Sequence, residues 1–546
     1  MAKLYDTILG EYVKNPGVRG LSLDDLAVKY LDYKTISYGE ITNKKKLNFQ
    51  DVDLVNASIY SGEDVYITWE LYKKQTSSVI PAEAGISSKV EKLENTNDSE
   101  YLKNNVSKEN STSSSELIDS LSSKEGHAKK SFSILHDIEI PLIEVLKDME
   151  ITGVKIDRDK LKGVGMLLEN EIFSLQKEIY NLAGEEFNIK SPKQVADILF
   201  VKLGLDSGKK NKTGFSVDNE VLEFLAKNHE IARKMIEYRT YTKLLSTYVD
   251  GLLGELDDDD KIHTNYNQTV TSTGRLSSTN PNLQNIPTGD GIAGEIRNAF
   301  IPLNQDEVIM AFDYSQVEVR ILAIMSGDEN LLNAFKNDID IHYNTAKFMF
   351  GRDNISKEER KIAKSVNFGV IYGISAFGLS KMIDGGMAEC KKYIDKFYEN
   401  YPLVKEFFDK VVVDCKETGY VETLFGRKRF ITGINDSNRI IADAGKREAI
   451  NMPVQGTAAD IIKLAMIEIS KFFKENKLKS KLIMQVHDEL VFSVKKDEKD
   501  IAEKNVKSIM ENVLTESINK GLIKNNISLI PILVDVGVGN NRGEAK

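Results

Sequence analysis

Two apolar runs that end in carboxylates, far apart in the chain, constrain this sequence more than any other feature. Val308-Ile309-Met310-Ala311-Phe312 has the length and composition of a buried strand, and it ends at Asp313-Tyr314-Ser315-Gln316-Val317-Glu318. Leu482-Ile483-Met484-Gln485-Val486 runs into His487-Asp488-Glu489 and resumes as Leu490-Val491-Phe492-Ser493-Val494, which predicts a β-hairpin with acids at its tip. An acid at a strand terminus is rigidly held at the sheet edge, and showing Asp and Glu there is costly unless a cation neutralises them. On adjacent strands, Asp313 and Asp488 would make a site for two Mg²⁺ ions about 4 Å apart, as phosphoryl-transfer chemistry uses. Hard oxygen ligands and the lack of a Cys or His cluster favour that metal. Taken singly, each motif has a substantial alternative reading as a turn acid or a helix N-cap; together, with the cationic helix between them, they do not.

Between the two runs lies SKEERKIAKSVNFGVIYG, residues 356–373. Ser356 followed by Glu359 is a capping-box pattern, so a helix is expected to start there. Arg360, Lys364, Phe368 and Tyr372 then recur at a spacing that keeps them near one helix face. The face offers two cations, a flat ring and a ring with a hydroxyl, with Gly369 and Gly373 beside the rings. That order suits a nucleoside triphosphate: cations for phosphates, a ring for the base, small residues for close approach. On its own the helix reads as well as an amphipathic helix with a solvated basic stripe. Flanked by the two acid-bearing runs, it favours the triphosphate.

The 546 residues suffice for several domains, and 41% hydrophobic with 29% charged residues is ordinary for a globular protein. No apolar run reaches the length of a membrane span and the N-terminus has no signal-peptide layout, so a cytoplasmic protein is expected. Cys390 and Cys415, the only cysteines, fit a reducing interior and exclude a Cys-based zinc site. The net charge of −10 does not decide for or against nucleic acid, because local clusters bind phosphates. Residues 76–130 are rich in Ser, Asn, Lys and Glu and poor in aromatics, which predicts a disordered linker. Residues 131–258 carry helical periodicity, with Lys190, Lys193, Lys209, Lys210 and Lys212 as candidates for a duplex backbone or as a solvated loop. The acidic run from Asp257 to Asp260 reads as a domain boundary, and beyond it Arg275 sits among hydroxyls and glycine, able to reach nucleic-acid acceptors.

DYSQVEVR at 313–320, RKIAKSVNFGVIYG at 360–373 and VHDE at 486–489 together resemble the three motifs of the family A DNA polymerases, the family of bacterial DNA polymerase I. TGRLSSTNPNLQNIP and NMPVQGTAADIIKLAM extend the resemblance, which covers residues 131 to 546 almost continuously. It implies an α+β right-hand fold: a helical thumb (131–258), an antiparallel-sheet palm (259–335 and 434–546) and helical fingers (336–433). It further implies that Asp313 and Asp488 bind two Mg²⁺ ions with Glu489 in support, and that Lys364 serves the triphosphate and the pyrophosphate leaving group. Arg360, Phe368, Tyr372, Gln316 and His342 would complete the dNTP site, with Glu318 excluding a ribose 2′-hydroxyl. Arg275, Arg447, Asn451, Gln455 and His487 would contact primer–template DNA, and the protein would work as a monomer in replication and repair.

Upstream, LDDLAVKYLDYKTISYGEI and YSGEDVYITWELY resemble the C-terminal end of a 3′–5′ proofreading exonuclease domain, with Tyr60 and Asp64 at its motif positions. The family's Asp-x-Glu pair would lie upstream of the matched region, so residues 1–75 are expected to be a truncated domain without proofreading. Near the C-terminus the family usually carries Trp and ends near His, where this chain has Arg542 and Lys546. Two other readings remain at this point: an RNA-synthesising relative, which Glu318 disfavours, and a catalytically silent DNA-binding remnant.

Overall fold

The computed structural model describes residues 5–43, 47–77, 133–206, 210–211, 214–289, 291–383, 385–523 and 527–545. The expected linker lies outside them except for Thr76 and Ser77, which close the helix Leu54–Ser77. Lys209, Lys212 and Lys546 also lie outside the described residues, whereas Lys190 and Lys193 are exposed.

The N-terminal segment has only a small core of its own, in which Leu26 and Ala27 meet Ile67 and Leu71. Its first helix, Thr7–Lys14, instead contributes Leu9, Tyr12 and Val13 to the main core, and the Tyr12 hydroxyl donates to the Thr271 carbonyl at 2.7 Å. So short a segment cannot bury enough surface alone and takes its stability from its neighbour.

The helices α1 (Arg158–Ala183) and α2 (Glu230–Lys243) pack together over a core that includes Leu175, Ile179, Leu222 and Met235. Asp157 caps α1 by accepting from the Lys160 amide, and Gly184, at φ 72°, ends it in the left-handed conformation. The acidic run that follows these helices is pinned. The Asp257 carboxylate accepts from the Asp259 and Lys261 amides, and Asp260 pairs with Arg158.

Four strands make the central antiparallel sheet: β1 (Glu307–Ser315), β2 (Lys481–Val486), β3 (Glu489–Lys495) and β4 (Leu533–Gly539), in the order β2-β3-β1-β4. Met310, Phe312 and Phe492 enter the core on one face, while Ile309, Ala311 and Val491 enter that on the other. Burial on both faces explains why the runs are continuously apolar rather than alternating. Asp313 lies inside β1 rather than at its end, because β4 pairs with β1 as far as Ser315↔Leu533.

After β1 the chain turns through Gln316, at φ +53°, into α3 (Val317–Ser326), then continues through α4 (Ile341–Phe350) to α5 (Lys357–Ile371). The helix α5 starts where its capping box predicts, with Ser356 accepting from the Glu359 amide and Glu359 accepting from the Ser356 amide. It stops one residue short of Tyr372, which forms the C-cap. The long α6 (Arg439–Glu475) packs against α3 and α7 (Lys499–Asn519).

Candidate active site

The sheet register gathers the acids. Glu489 on β3 and Asp535 on β4 both stand opposite Asp313 on β1, so three carboxylates share one row and one face. The hairpin turn at His487, with φ +54°, carries Asp488 beside them, and the Tyr314 amide donates to the Asp488 carbonyl at 3.2 Å. Burial, then repulsion from Glu489, Asp488 and Asp535, pushes the Asp313 carboxyl up to about 6. Burial also raises Asp488, against the pull of Arg275, whose Nη2 lies 3.6 Å from Asp488 Oδ1. Repelling carboxylates of this kind are an oxygen donor set suited to a hard divalent cation. Among the described residues no three His, Cys, Asp or Glu side chains are already grouped closely enough to hold a metal ion. The oxygen donors of Asp313, Asp488 and Glu489 are of the kind that Mg²⁺ takes.

Glu318, in the first turn of α3 and 5% exposed, links these acids to α5. Its carboxylate accepts from Arg275 Nη2 at 2.7 Å and from the Tyr372 hydroxyl at 2.7 Å, with Gln455 as a third partner. Burial raises the Glu318 carboxyl, opposed by Arg275. Tyr372, Glu318, Arg275 and Asp488 thus form one connected chain from the end of α5 to the hairpin tip.

On α5, Lys364 is exposed with its Nζ 5.9 Å from the centre of the half-buried Phe368 ring. The His342 ring lies 5.7 Å from Phe368 and is paired through Nδ1 with Asn367 at 2.9 Å. Burial, with Arg360 and Lys364 adding, lowers the His342 imidazole to about 4, so it is neutral at neutral pH. Arg360 Nε donates to Asp340 Oδ2 at 2.7 Å, and the same aspartate caps α4 through the His342 and Tyr343 amides. Gly373, at φ +64°, lets the chain leave α5 against Arg447; a Cβ there would lie 3.1 Å from Arg447 Cγ. Farther along α6, the Asn451 Oδ1 is buried without a hydrogen-bond partner among the described residues. His487 is lowered by burial, then by Arg275 and Arg542.

Tyr60 and Asp64 belong elsewhere, on the helix Leu54–Ser77, with Phe49 beside Tyr60 and with burial, Asp24 and Glu63 raising Asp64. Three features escaped the sequence reading. Asp535 joins the acid row, signalled only by its place in the alternating run Leu533-Val534-Asp535-Val536. Arg542 is buried and donates to Glu489 at 3.0 Å. Behind the Arg275 loop, the buried Arg427 bridges Glu139 at 2.5 Å and Asp460 at 2.7 Å, while Lys463 pairs with Glu139 at 2.7 Å. Arg427 runs directly under Gly274, at φ +85°, where a Cβ would lie 2.7 Å from its Nε; only glycine fits beside Arg275.

The model of DNA polymerase family A matches residues 158–544. DNA polymerase I of Caldicellulosiruptor bescii is 47% identical over 416 residues, and that of Bacillus subtilis is 44% identical over 416 residues, each match covering 76% of this chain. The chain spans about half the length of these curated relatives, 47% and 46%. The polymerase domain of Pol1 from M. smegmatis, solved in complex with DNA primer–template and dNTP, matches with a TM-score of 0.79 and 30% identity. That match covers 99% of this chain and 82% of the other.

Proposed function

The chain belongs to DNA polymerase family A, and on that premise we propose that it extends primer 3′ ends with deoxynucleoside triphosphates under the direction of a DNA template. Its fold is the α+β right hand, with the antiparallel sheet as palm. We assign the thumb to 131–258, the fingers to 336–433, the palm to 259–335 and 434–546, and an exonuclease-like segment to 1–75. The observation that carries the functional reading is the chain Tyr372–Glu318–Arg275–Asp488, which ties the triphosphate helix to the acids of the sheet.

In this reading the primer 3′-oxygen bonds to the α-phosphorus, the bond from that phosphorus to the bridging oxygen breaks, and pyrophosphate leaves. Asp313 and Asp488 would hold two Mg²⁺ ions, which supply charge neutralisation and an acidified primer hydroxyl when bound. Lys364 projects from α5 to the phosphates and donates a proton to the departing pyrophosphate. Arg360 exchanges Asp340 for the outer phosphates; the pair it gives up is exposed and worth at most about 1 kcal/mol. Phe368, with His342 behind it, stacks on the incoming nucleoside, Gln316 lies by the triphosphate and Tyr372 flanks the templating base. Glu318, buried and held in place by Arg275 and Tyr372, would stand against a ribose 2′-hydroxyl and so favour deoxynucleotides. Arg275, Arg447, Asn451, Gln455 and His487 contact the primer–template, which suits a groove with a degenerate hydrogen-bond pattern.

We further propose that this chain does not proofread. The acids beside Tyr60 and Asp64 are Asp24 and Glu63, and both are already engaged: Glu63 accepts from the Tyr33 hydroxyl and the Ile36 amide, and Asp24 accepts from the Thr35 hydroxyl. The protein would act as a monomer on cellular DNA in the cytoplasm, in replication and repair. Primer extension from a mismatched 3′ end, with Mg²⁺ and dNTPs, tests both proposals. The expected result is extension without prior shortening, abolished by Asp488→Ala. Shortening that survives Asp488→Ala would refute the second proposal, and DNA binding without any extension would refute the first.

A further inference from the structure

Arg542 is a buried guanidinium, 2% exposed, beside the acidic row and distinct from every group assigned above. Its amide donates to the Phe300 carbonyl at 2.9 Å, fixing the backbone, and its Nη2 donates to Glu489 Oε2 at 3.0 Å. Its Nη1 lies 3.9 Å from Met484 Sδ, and its Nε is buried without a partner among the described residues. A second guanidinium, Arg297 (6% exposed), lies within electrostatic reach of both Arg542 and Glu489 and also has a buried, unpartnered Nε. Glu489 is thus ion-paired with Arg542 and lies in the field of a second buried cation, and pairing offsets part of the cost of burying Arg542. Glu489 is meanwhile the direct cross-strand neighbour of Asp313. A carboxylate in that position would ordinarily be free to turn toward any cation held by Asp313 and Asp488, yet these side chains do not form a closed group of three.

We propose that Arg542 is a positioning residue that holds the Glu489 carboxylate out of the cation site, so that Glu489 supports the site without ligating and the affinity for divalent cations is moderated. The proposal rests on the reading of Asp313 and Asp488 as the cation-binding pair. Removing Arg542 takes away one positive charge and releases one carboxylate, and both changes favour a divalent cation. Both changes push the same way, toward tighter cation binding in the variant.

The test is Mn²⁺ binding to the full chain without nucleotide, followed by electron paramagnetic resonance of the free ion, with circular dichroism to establish folding. R542M is expected to bind Mn²⁺ about threefold or more tightly than the parent. R542Q carries the same expectation and keeps polar bulk in the buried site should the methionine variant not fold. R542K, which keeps the charge, stays near the parent. In an E489Q background the R542M change has less than half its effect, because the carboxylate it would release is gone. Folded R542M or R542Q with unchanged or weaker Mn²⁺ binding would overturn the proposal. If instead the parent's Mn²⁺ binding survived D313N and D488N, the underlying reading of the acids would be the part that fails.

Discussion

Replacing Arg427 by Met removes one cation from a sealed group of four charges: Glu139, Asp460, Arg427 and Lys463 are each no more than 1% exposed. The group as folded is neutral, and Gln268 and Thr423 donate to its remaining carboxylate oxygens. Burial alone would raise Glu139, but Lys463 and Arg427 outweigh it and hold the carboxyl at about 2. R427M leaves two buried carboxylates facing Lys463 alone, and breaking a buried pair in this way costs about 3–5 kcal/mol. R427M/D460N restores neutrality around the surviving Glu139–Lys463 pair and is expected to recover about half of that loss or more. Equilibrium guanidinium unfolding followed by far-ultraviolet circular dichroism reads both values. Because Arg427 also fills the space under Gly274, loss of its side chain loosens the loop that aims Arg275, so primer–template affinity should fall even where the variant remains folded. R427M within about 1 kcal/mol of the parent would refute the reasoning, as would a failure of D460N to compensate.

Two further predictions address the proposed nucleotide site. E318A is expected to lower the ratio of kcat/KM for deoxyribo- over ribonucleotides by about tenfold or more, since the carboxylate proposed to lie against the sugar is gone. It should also slow dNTP incorporation, because Arg275 and Tyr372 lose their shared acceptor; an unchanged ratio would remove Glu318 from sugar discrimination. His342 is held down to about 4, chiefly by burial, against an ordinary 6.5, so the unfolded chain takes up a proton before the folded one does. That contribution to stability is complete above pH 6.5 and is lost between 6.5 and 4, about 3 kcal/mol in all. H342N should therefore lose less stability than the parent over that interval, and equal losses in pH-dependent unfolding would count against this assignment.

The sequence exposed those parts of the site that obey local rules. The capping box at Ser356 set the start of α5, and the apolar runs around His487-Asp488 specified the hairpin, because both signals act within a few residues. The place of Asp313 was harder: the run of apolar residues stops there, but the strand continues because β4, more than two hundred residues downstream, supplies its partner. Asp535 and Arg542 share that origin, since only sheet register brings one beside Asp313 and only the return of the C-terminus brings the other to Glu489. The buried group around Arg427 was invisible for the same reason. Glu139 lies 288 residues from Arg427, and each charge read singly looks like a solvated surface residue. Charge compensation at long range leaves no periodicity to find.

The central claim is template-directed nucleotidyl transfer at Asp313 and Asp488. Its most direct test is single-nucleotide incorporation by rapid quench, pairing each of the four dNTPs with each of the four template bases, for the parent, D313N and D488N. Primer–template binding by fluorescence anisotropy runs alongside. The account predicts incorporation of the complementary nucleotide only, falling by at least about a hundredfold in either variant while DNA binding persists. Incorporation that ignored the template base, or that proceeded at the parental rate in D488N, would contradict it.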